Sequence, residues 1–414
     1  MKVLWLSNVV FTSEGTRATG GWLQPLAELL TQKGNIQILN VTFAHVNSTQ
    51  FIEINGIKQY LIPVRKQLGH GQKASHKTCI DVTSIENIYN PDLIHIWGTE
   101  NVWCSIHAKK LFKTQKIILD IQGLLKPYSD FYLGGLDLND ILRCISFKEF
   151  LMPQRNLLSK ARLFKKRGNF EELYINSFCH ISTQSQWVRN HIHIMNSAAK
   201  IYNTKIILRN EFYSATPWSY KFPNDNPILF SSCSAAVPYK GMHQLLKITA
   251  ILKLKYPKIK LCIAGNINVG NRLPDGYSLY LKKIIKELEL TENVVYLGSL
   301  TAPQIILELQ KCNVCVIPSY IETYCLALAE ALIIGVPCVV SYAGALPETA
   351  IPNKEALFYN PNDYVAAAAA VDELIQDKNK AVTLSKEARK RRFIENDMET
   401  VVQTQINIYK KVLS

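Results

Sequence analysis

The 414-residue chain contains no run of eighteen apolar residues, so no segment reads as a membrane-spanning helix. No Asp-x-Asp pair occurs, which removes the simplest acidic metal site. Cys312-x-x-Cys315 is the only tight pair among ten scattered cysteines, and no second pair or nearby histidine cluster completes a zinc site. Cys262, Cys315 and Cys338 fall in apolar strand-like runs, as buried reduced thiols of a cytoplasmic protein do. Acidic residues are outnumbered, 33 against 47 Lys and Arg. The resulting net charge of +14 favours nucleotides, acidic glycans or an anionic membrane face without separating them. No basic motif with interleaved aromatics forms a nucleic-acid module, so no nucleic-acid partner is expected.

What is present fits a two-domain globular enzyme: 48% hydrophobic and 19% charged residues on a length that supports two full cores. The apolar start has one lysine and no small-residue cleavage site before Thr12-Ser13-Glu14, so Val3–Asn8 reads as a buried strand rather than a leader. Thr19-Gly20-Gly21 then opens a helix over Trp22–Gln32; glycines there let a ligand approach the backbone. The loop is not the Gly-x-Gly-x-x-Gly of dinucleotide binders, which argues against a dehydrogenase. Asn55-Gly56 predicts a hairpin. Leu93–Trp97 and Lys116–Ile121 read as strands that end in Gly98-Thr99-Glu100 and Gln122-Gly123. His95 lies inside a strand and reads as a packed core residue, whereas Glu100 is either an acceptor contact or a helix N-terminal acid.

Leu142–Arg167 interleaves basic residues with Phe, Leu, Met and Ile. Two readings stand. One is an amphipathic segment making a peripheral membrane contact; the other is a helix packed on its own domain with Lys and Arg solvated. Pro153 is expected to break or kink it. Ile206–Leu208 reads as the last strand of the first half. Pro217–Pro227 is the most linker-like region, and strand–helix alternation restarts at Ile228. Lys240-Gly241 falls in the first loop of that second half, where an ammonium at a strand end meets a diphosphate.

The most informative stretch is Val314–Glu348. Val314–Ile317 and Cys338–Ser341 are short β-branched runs, and Thr323–Ile334 between them reads as a helix. Strand, helix and strand with short joints imply parallel pairing in a buried sheet, with ligands at its C-terminal edge. Two carboxylates interrupt the apolar run. Glu322 is in the loop after the first strand, and Glu330 is inside the helix. A helix start near Leu326 offers free N–H groups to a phosphate, and a carboxylate further along suits a ribose diol.

Pro-Ser-x-x-Glu, a helix start, seven residues between the glutamates and then Ala-Leu-x-x-Gly-x-Pro resemble the retaining glycosyltransferases of family four. The resemblance is specific over about 228–361 and diffuse before that. It implies a GT-B fold: α/β, two doubly wound Rossmann-like domains facing across a cleft. The expected domains are 1–215 on the acceptor side, 216–390 for the nucleotide-sugar donor, and 391–414 as a helix crossing back. By this resemblance Glu330 holds the donor ribose and Glu322 lies near the donor sugar. Gly20 and Gly21 face the donor, and Gln122 stands where the family often has a histidine close to the reacting sugar. The family's arginine before the phosphate-binding lysine has no counterpart in Ser231–Ala236, which shifts its load to Ser234 or Lys240. Where the family often reads Glu-Gly-Phe-Gly-Leu, this chain has Glu322-Thr323-Tyr324-Cys325-Leu326.

The implied activity is metal-independent sugar transfer, with retention, from a nucleotide sugar to a glycan, lipid-linked or small-molecule acceptor. No cofactor is expected beyond the donor itself. The alternatives are a sugar-nucleotide epimerase, which would turn over the donor with no acceptor, and a non-catalytic nucleotide-sugar binding protein.

Overall fold

The computed structural model describes residues 1–13, 21–65, 72–221, 226–232, 237–265 and 275–414. The chain forms two compact units. The first is Met1–Pro127, Lys165–Arg209 and Asn396–Ser414; the second is Tyr128–Phe164 and Asn210–Glu395.

The first unit holds an eight-stranded sheet, with strands β1 Lys2–Leu6, β2 Gln37–Ala44, β3 Gln50–Ile54, β4 Ile57–Pro63, β5 Leu93–Trp97, β6 Ile117–Asp120, β7 His180–Thr183 and β8 Lys200–Asn203. Their order is β3-β4-β2-β1-β5-β6-β7-β8, parallel except for the β3–β4 hairpin. Asn55 and Gly56 both have positive φ, 50° and 77°, as a type I′ turn requires. β1 is buried from Val3 to Leu6 at the sheet centre. The closing helix Met398–Leu413 packs on this unit, and its Tyr409 Oη lies 2.7 Å from Nδ1 of His95. His95 is fully buried, and burial holds its pKa well below the usual imidazole range, as a neutral core residue.

In the second unit the strands are β9 Ile228–Ser231, β10 Lys260–Ile263, β11 Val294–Tyr296, β12 Val314–Ile317, β13 Cys338–Ser341 and β14 Leu357–Tyr359. All are parallel, ordered β11-β10-β9-β12-β13-β14. Numbered from its own first strand, the sheet reads 3-2-1-4-5-6, the doubly wound order whose ligand crevice opens between strands 1 and 4. β9 and β12 are those strands here. They are locked together by the Ser231 hydroxyl, which donates to the Val316 carbonyl at 2.9 Å.

Several sequence expectations are corrected. Ile206–Leu208 is irregular backbone, and the last strand of the first half is β8. Its three side chains are buried all the same, and the Asn396 amide donates to the Ile206 carbonyl at 2.7 Å. Burial without a ladder leaves the same apolar signal as a strand. The change of unit falls at Arg209–Asn210, a few residues before 215, because the helix Asn210–Ser214 packs against the helices Ala302–Lys311 and Leu326–Ile334 of the second unit. Residues 128–164 belong to the second unit although they lie in the first half of the sequence. Within 142–167, Pro153 does break the segment: helices Leu138–Arg143 and Phe147–Leu151 precede a short turn at Pro153–Arg155, and Leu157–Ile175 follows. Among the described residues no helix is long and apolar enough to cross a membrane.

Candidate functional site

The loops after β9 and β12 meet at the switch point of the second sheet. Lys240 ends the first loop, and its Nζ lies 2.7 Å from Oε1 of Glu322 in the second. Gly241 follows with φ +74°, and a Cβ there would overlap the Pro318 carbonyl oxygen, so only glycine fits this approach. The Gln244 amide ties the same carbonyl at 2.8 Å, and Tyr320 N donates to the Tyr239 carbonyl at 2.8 Å.

Glu322 is only 5% exposed. The Ser319 hydroxyl donates to its Oε1 at 2.7 Å, and its own carbonyl accepts from Ala345 N at 2.8 Å. Gly344, with φ +54°, leaves room for the Glu322 backbone. Burial alone would lower the Lys240 pKa; the carboxylate of Glu322, aided by Tyr128 and Cys325, outweighs it and holds the ammonium well above its ordinary value. Its side chain remains a quarter exposed, so a charged ligand can reach it.

The following helix starts later than its apolar pattern suggests. Thr323–Cys325 are loop, and the helix is Leu326–Ile334. Two observations explain the delay: Thr323 N is bound to the Tyr128 hydroxyl at 3.1 Å, and Cys325 has φ +74° and ψ 83°, outside the helical region. Cys325 therefore holds a left-handed conformation where the resembled pattern has glycine. Among the described residues no side chain caps this helix, and Tyr324–Ala327 are half-buried, which leaves the N–H groups at its start accessible to a ligand. Glu330 lies one turn in, 8% exposed, with Leu328–Ile334 all buried around it.

Sequence reasoning missed the ring of residues that supports this site. Tyr128 comes from the 128–164 excursion, as does Gly134, whose carbonyl accepts from His243 Nε2 at 2.8 Å. That carbonyl fixes the ring proton on Nε2, so His243 Nδ1 accepts from the Tyr277 hydroxyl at 2.9 Å. Burial, and then Lys247, push the His243 pKa down to about 3, so the ring stays neutral. No local signal marks a contact between residues 128 and 323. Ser319 alone could have been found, since it belongs to the Pro-Ser-x-x-Glu pattern.

Of the other expected site residues, Gly20 and Ser234 lie outside the described residues. Gly21 is in the turn before the helix Leu23–Gly34. Gln122 is half-buried in the first unit, two residues beyond β6 and packed beside Gly98. Around it stand three buried carboxyl groups. Glu171 accepts from the Thr99 hydroxyl and from Leu125 N and Lys126 N at 2.9 and 2.8 Å. Asp120 accepts from Ser182 and Gln184 at 2.7 and 2.6 Å, and the Glu100 carboxylate fills the space beside Gly98 and Gly123. Burial pushes all three carboxyls up to about 7.

This cluster sets a pH dependence. From pH 6.5 until they titrate near 7, the folded carboxyls keep protons that the unfolded ones have already lost, so stability falls as pH rises and levels off toward pH 8. Asp120 and Glu171 are fully buried, and each should contribute a loss of roughly 1 kcal/mol over that window. Below about pH 6.5 the neutral buried histidines, His95 and His243 among them, act with the opposite sign. Urea titrations at pH 6.5 and pH 8 should show the higher midpoint at pH 6.5, and Asp120→Asn should shrink the difference.

Among the described residues no three His, Cys, Asp or Glu side chains are grouped to hold a metal ion. Residues 215–391 match the family described as glycosyl transferases group 1. An uncharacterized glycosyltransferase of Bacillus subtilis is 29% identical over 179 residues, 43% of this chain and 47% of that protein. The chain spans about half the length of the curated relatives it matches. A sucrose-phosphate synthase from Thermosynechococcus elongatus superposes with a TM-score of 0.69 at 17% identity, over 99% of this chain and 98% of that one. Anabaena HepE, in complex with UDP and glucose, gives the same TM-score and identity over 99% and 100%. At these identities the structural likeness establishes the fold. Residues 215–391 thus match the glycosyl transferases group 1 family, on a chain with the GT-B fold.

Proposed function

We propose that the protein transfers a sugar, with retention of anomeric configuration and without a metal, from a nucleotide-sugar donor to a glycan, lipid-linked or small-molecule acceptor. The observation that carries this reading is the Lys240–Glu322 pair at the switch point of the second sheet, next to an uncapped helix start. The family match over 215–391 supports it, and Anabaena HepE is a neighbour of the same fold whose structures hold UDP-glucose.

In this reading the donor diphosphate takes the Lys240 ammonium and the N–H groups from Leu326 onward. As the bond from the anomeric carbon to the phosphate oxygen breaks, its electron pair stays on the diphosphate, where those groups stabilise it. Glu330 accepts hydrogen bonds from the ribose hydroxyls. Glu322, oriented by Ser319, sits by the transferred sugar. Gln122 gives and accepts hydrogen bonds on the acceptor side and is no base near neutral pH. Retention tolerates this, because no enzyme base has to activate the acceptor strongly. The resemblance further assigns Gly20, Gly21 and Ser234 to the donor.

A thermal-shift panel of nucleotides and nucleotide sugars, each with and without a chelator, tests the reading. A donor at a hundred times its dissociation constant should stabilise the protein by roughly 2.7 kcal/mol. Chelator should change neither that shift nor turnover of the same donor. No shift with any nucleotide sugar would overturn the donor site, and activity lost to chelator but restored by manganese would overturn metal independence.

A further inference from the structure

Nine of the 23 large apolar side chains exposed among the described residues fall between Phe131 and Leu163. On the helix Leu138–Arg143, Leu138 and Leu142 stand one turn apart, 78% and 65% exposed. On the helix Phe147–Leu151, Phe147, Phe150 and Leu151 are 79%, 72% and 62% exposed; their spacing puts them on one face. The opposite side of this segment is firmly seated. Ser146 and the buried Glu149 form a capping box, and Cys144 and Glu149 close against Gly276. Arg143 bonds Glu287 at 2.6 Å and lies 5.3 Å over the Tyr280 ring. The apolar side chains are thus held outward on a fixed frame, and a patch of that kind marks an interaction surface.

Charge selects the partner. The two acidic residues of 138–163 both have cationic neighbours: Asp140 is 3.9 Å from Arg143, and Glu149 is 3.5 Å from Lys160. Lys148, Arg155 and Arg162 have no ion pair among the described residues, and both arginines are exposed. Asp137, the exposed cap of the first helix, is the one acidic residue of 131–163 outside these pairs, so the free charge around the apolar face is net positive. A second copy docking by the same face would bring these cations against each other. An anionic lipid surface complements them.

We propose that 138–163 is a docking surface for an anionic bilayer. Leu142, Phe147, Phe150 and Leu151 enter the boundary between headgroups and acyl chains, while Lys148, Arg155 and Arg162 meet the lipid phosphates. The same excursion supplies Tyr128 and Gly134 to the candidate donor site, so docking brings that site to the membrane. That last step rests on the glycosyl-transfer reading and favours a lipid-linked acceptor; the docking itself does not.

The test is cosedimentation of the full chain with vesicles of phosphatidylcholine alone or mixed with phosphatidylglycerol, read without any turnover. The parent should bind the anionic vesicles and release as salt shortens the screening length from about 10 Å to about 3 Å. Phe147→Ser/Phe150→Ser/Leu151→Ser should weaken binding at least about tenfold, and Lys148→Glu/Arg155→Glu/Arg162→Glu likewise. Circular dichroism checks that each variant folds, and the charge-reversal set keeps the test decisive if the first set does not. Equal binding to neutral vesicles, no binding to either, or binding unchanged in both variants would overturn the proposal. So would a dimer in sedimentation velocity that the serine variant dissolves while vesicles fail to bind.

Discussion

Replacing Lys240 by methionine should lower kcat with the full donor about a hundred- to a thousandfold, the range seen when one preorganised electrostatic group is removed from a developing charge. Methionine keeps the unbranched stem and removes the ammonium. Two effects combine. In the proposed site the diphosphate loses its cation, and Glu322, 5% exposed, loses its cationic partner. Breaking a fully buried ion pair from one side costs about 3–5 kcal/mol. Lys240 is a quarter exposed, so roughly 1–3 kcal/mol of stability is the expected loss. The sign with pH follows from the raised lysine pKa. A cation held above its ordinary 10.5 stabilises the fold at every pH below that value and loses its contribution only above it. The deficit is therefore present throughout the physiological range. Chemical denaturation of parent and variant measures it, and donor turnover measures the catalytic part. A variant that keeps near-parental turnover would remove Lys240 from the donor site.

The elements of the second unit were legible because its strands are short β-branched runs closed by Pro, Ser or Gly. Val314–Ile317 and Cys338–Ser341 have the limits that pattern implies. The start of the Glu330 helix was not legible, because Thr323 and Tyr324 suit a helix and only the Cys325 backbone and the Tyr128 hydroxyl hold them out of it. Strand order was also hidden. Lys240 and Glu322 are 82 residues apart, and only the placement of β12 beside β9 joins them. The same limit hid the affiliation of 128–164: a break between units that does not follow chain order leaves no compositional trace. In that segment the interleaved apolar and basic residues were visible, but not which of them the fold covers.

The two glutamates should separate cleanly. Glu330, 8% exposed on the helix, is assigned to the ribose, in ground state and transition state alike. A carboxylate bonded to hydroxyls contributes about 1.5–3 kcal/mol, so Glu330→Ala should weaken donor and free nucleotide about ten- to a hundredfold each. Glu322 is assigned to the transferred sugar, which free nucleotide lacks. Glu322→Ala should leave nucleotide affinity nearly intact, with Lys240 still present to meet the diphosphate, and should lower kcat and kcat/KM together.

Titration calorimetry of free nucleotide on the parent, Glu330→Ala and Glu322→Ala tests the central assignment most directly. The dissociation constant should rise about ten- to a hundredfold for Glu330→Ala and stay close to parental for Glu322→Ala. A folded Glu330→Ala that binds nucleotide as the parent does would contradict the assignment of the whole stretch from Ser319 to Glu330 as a donor site.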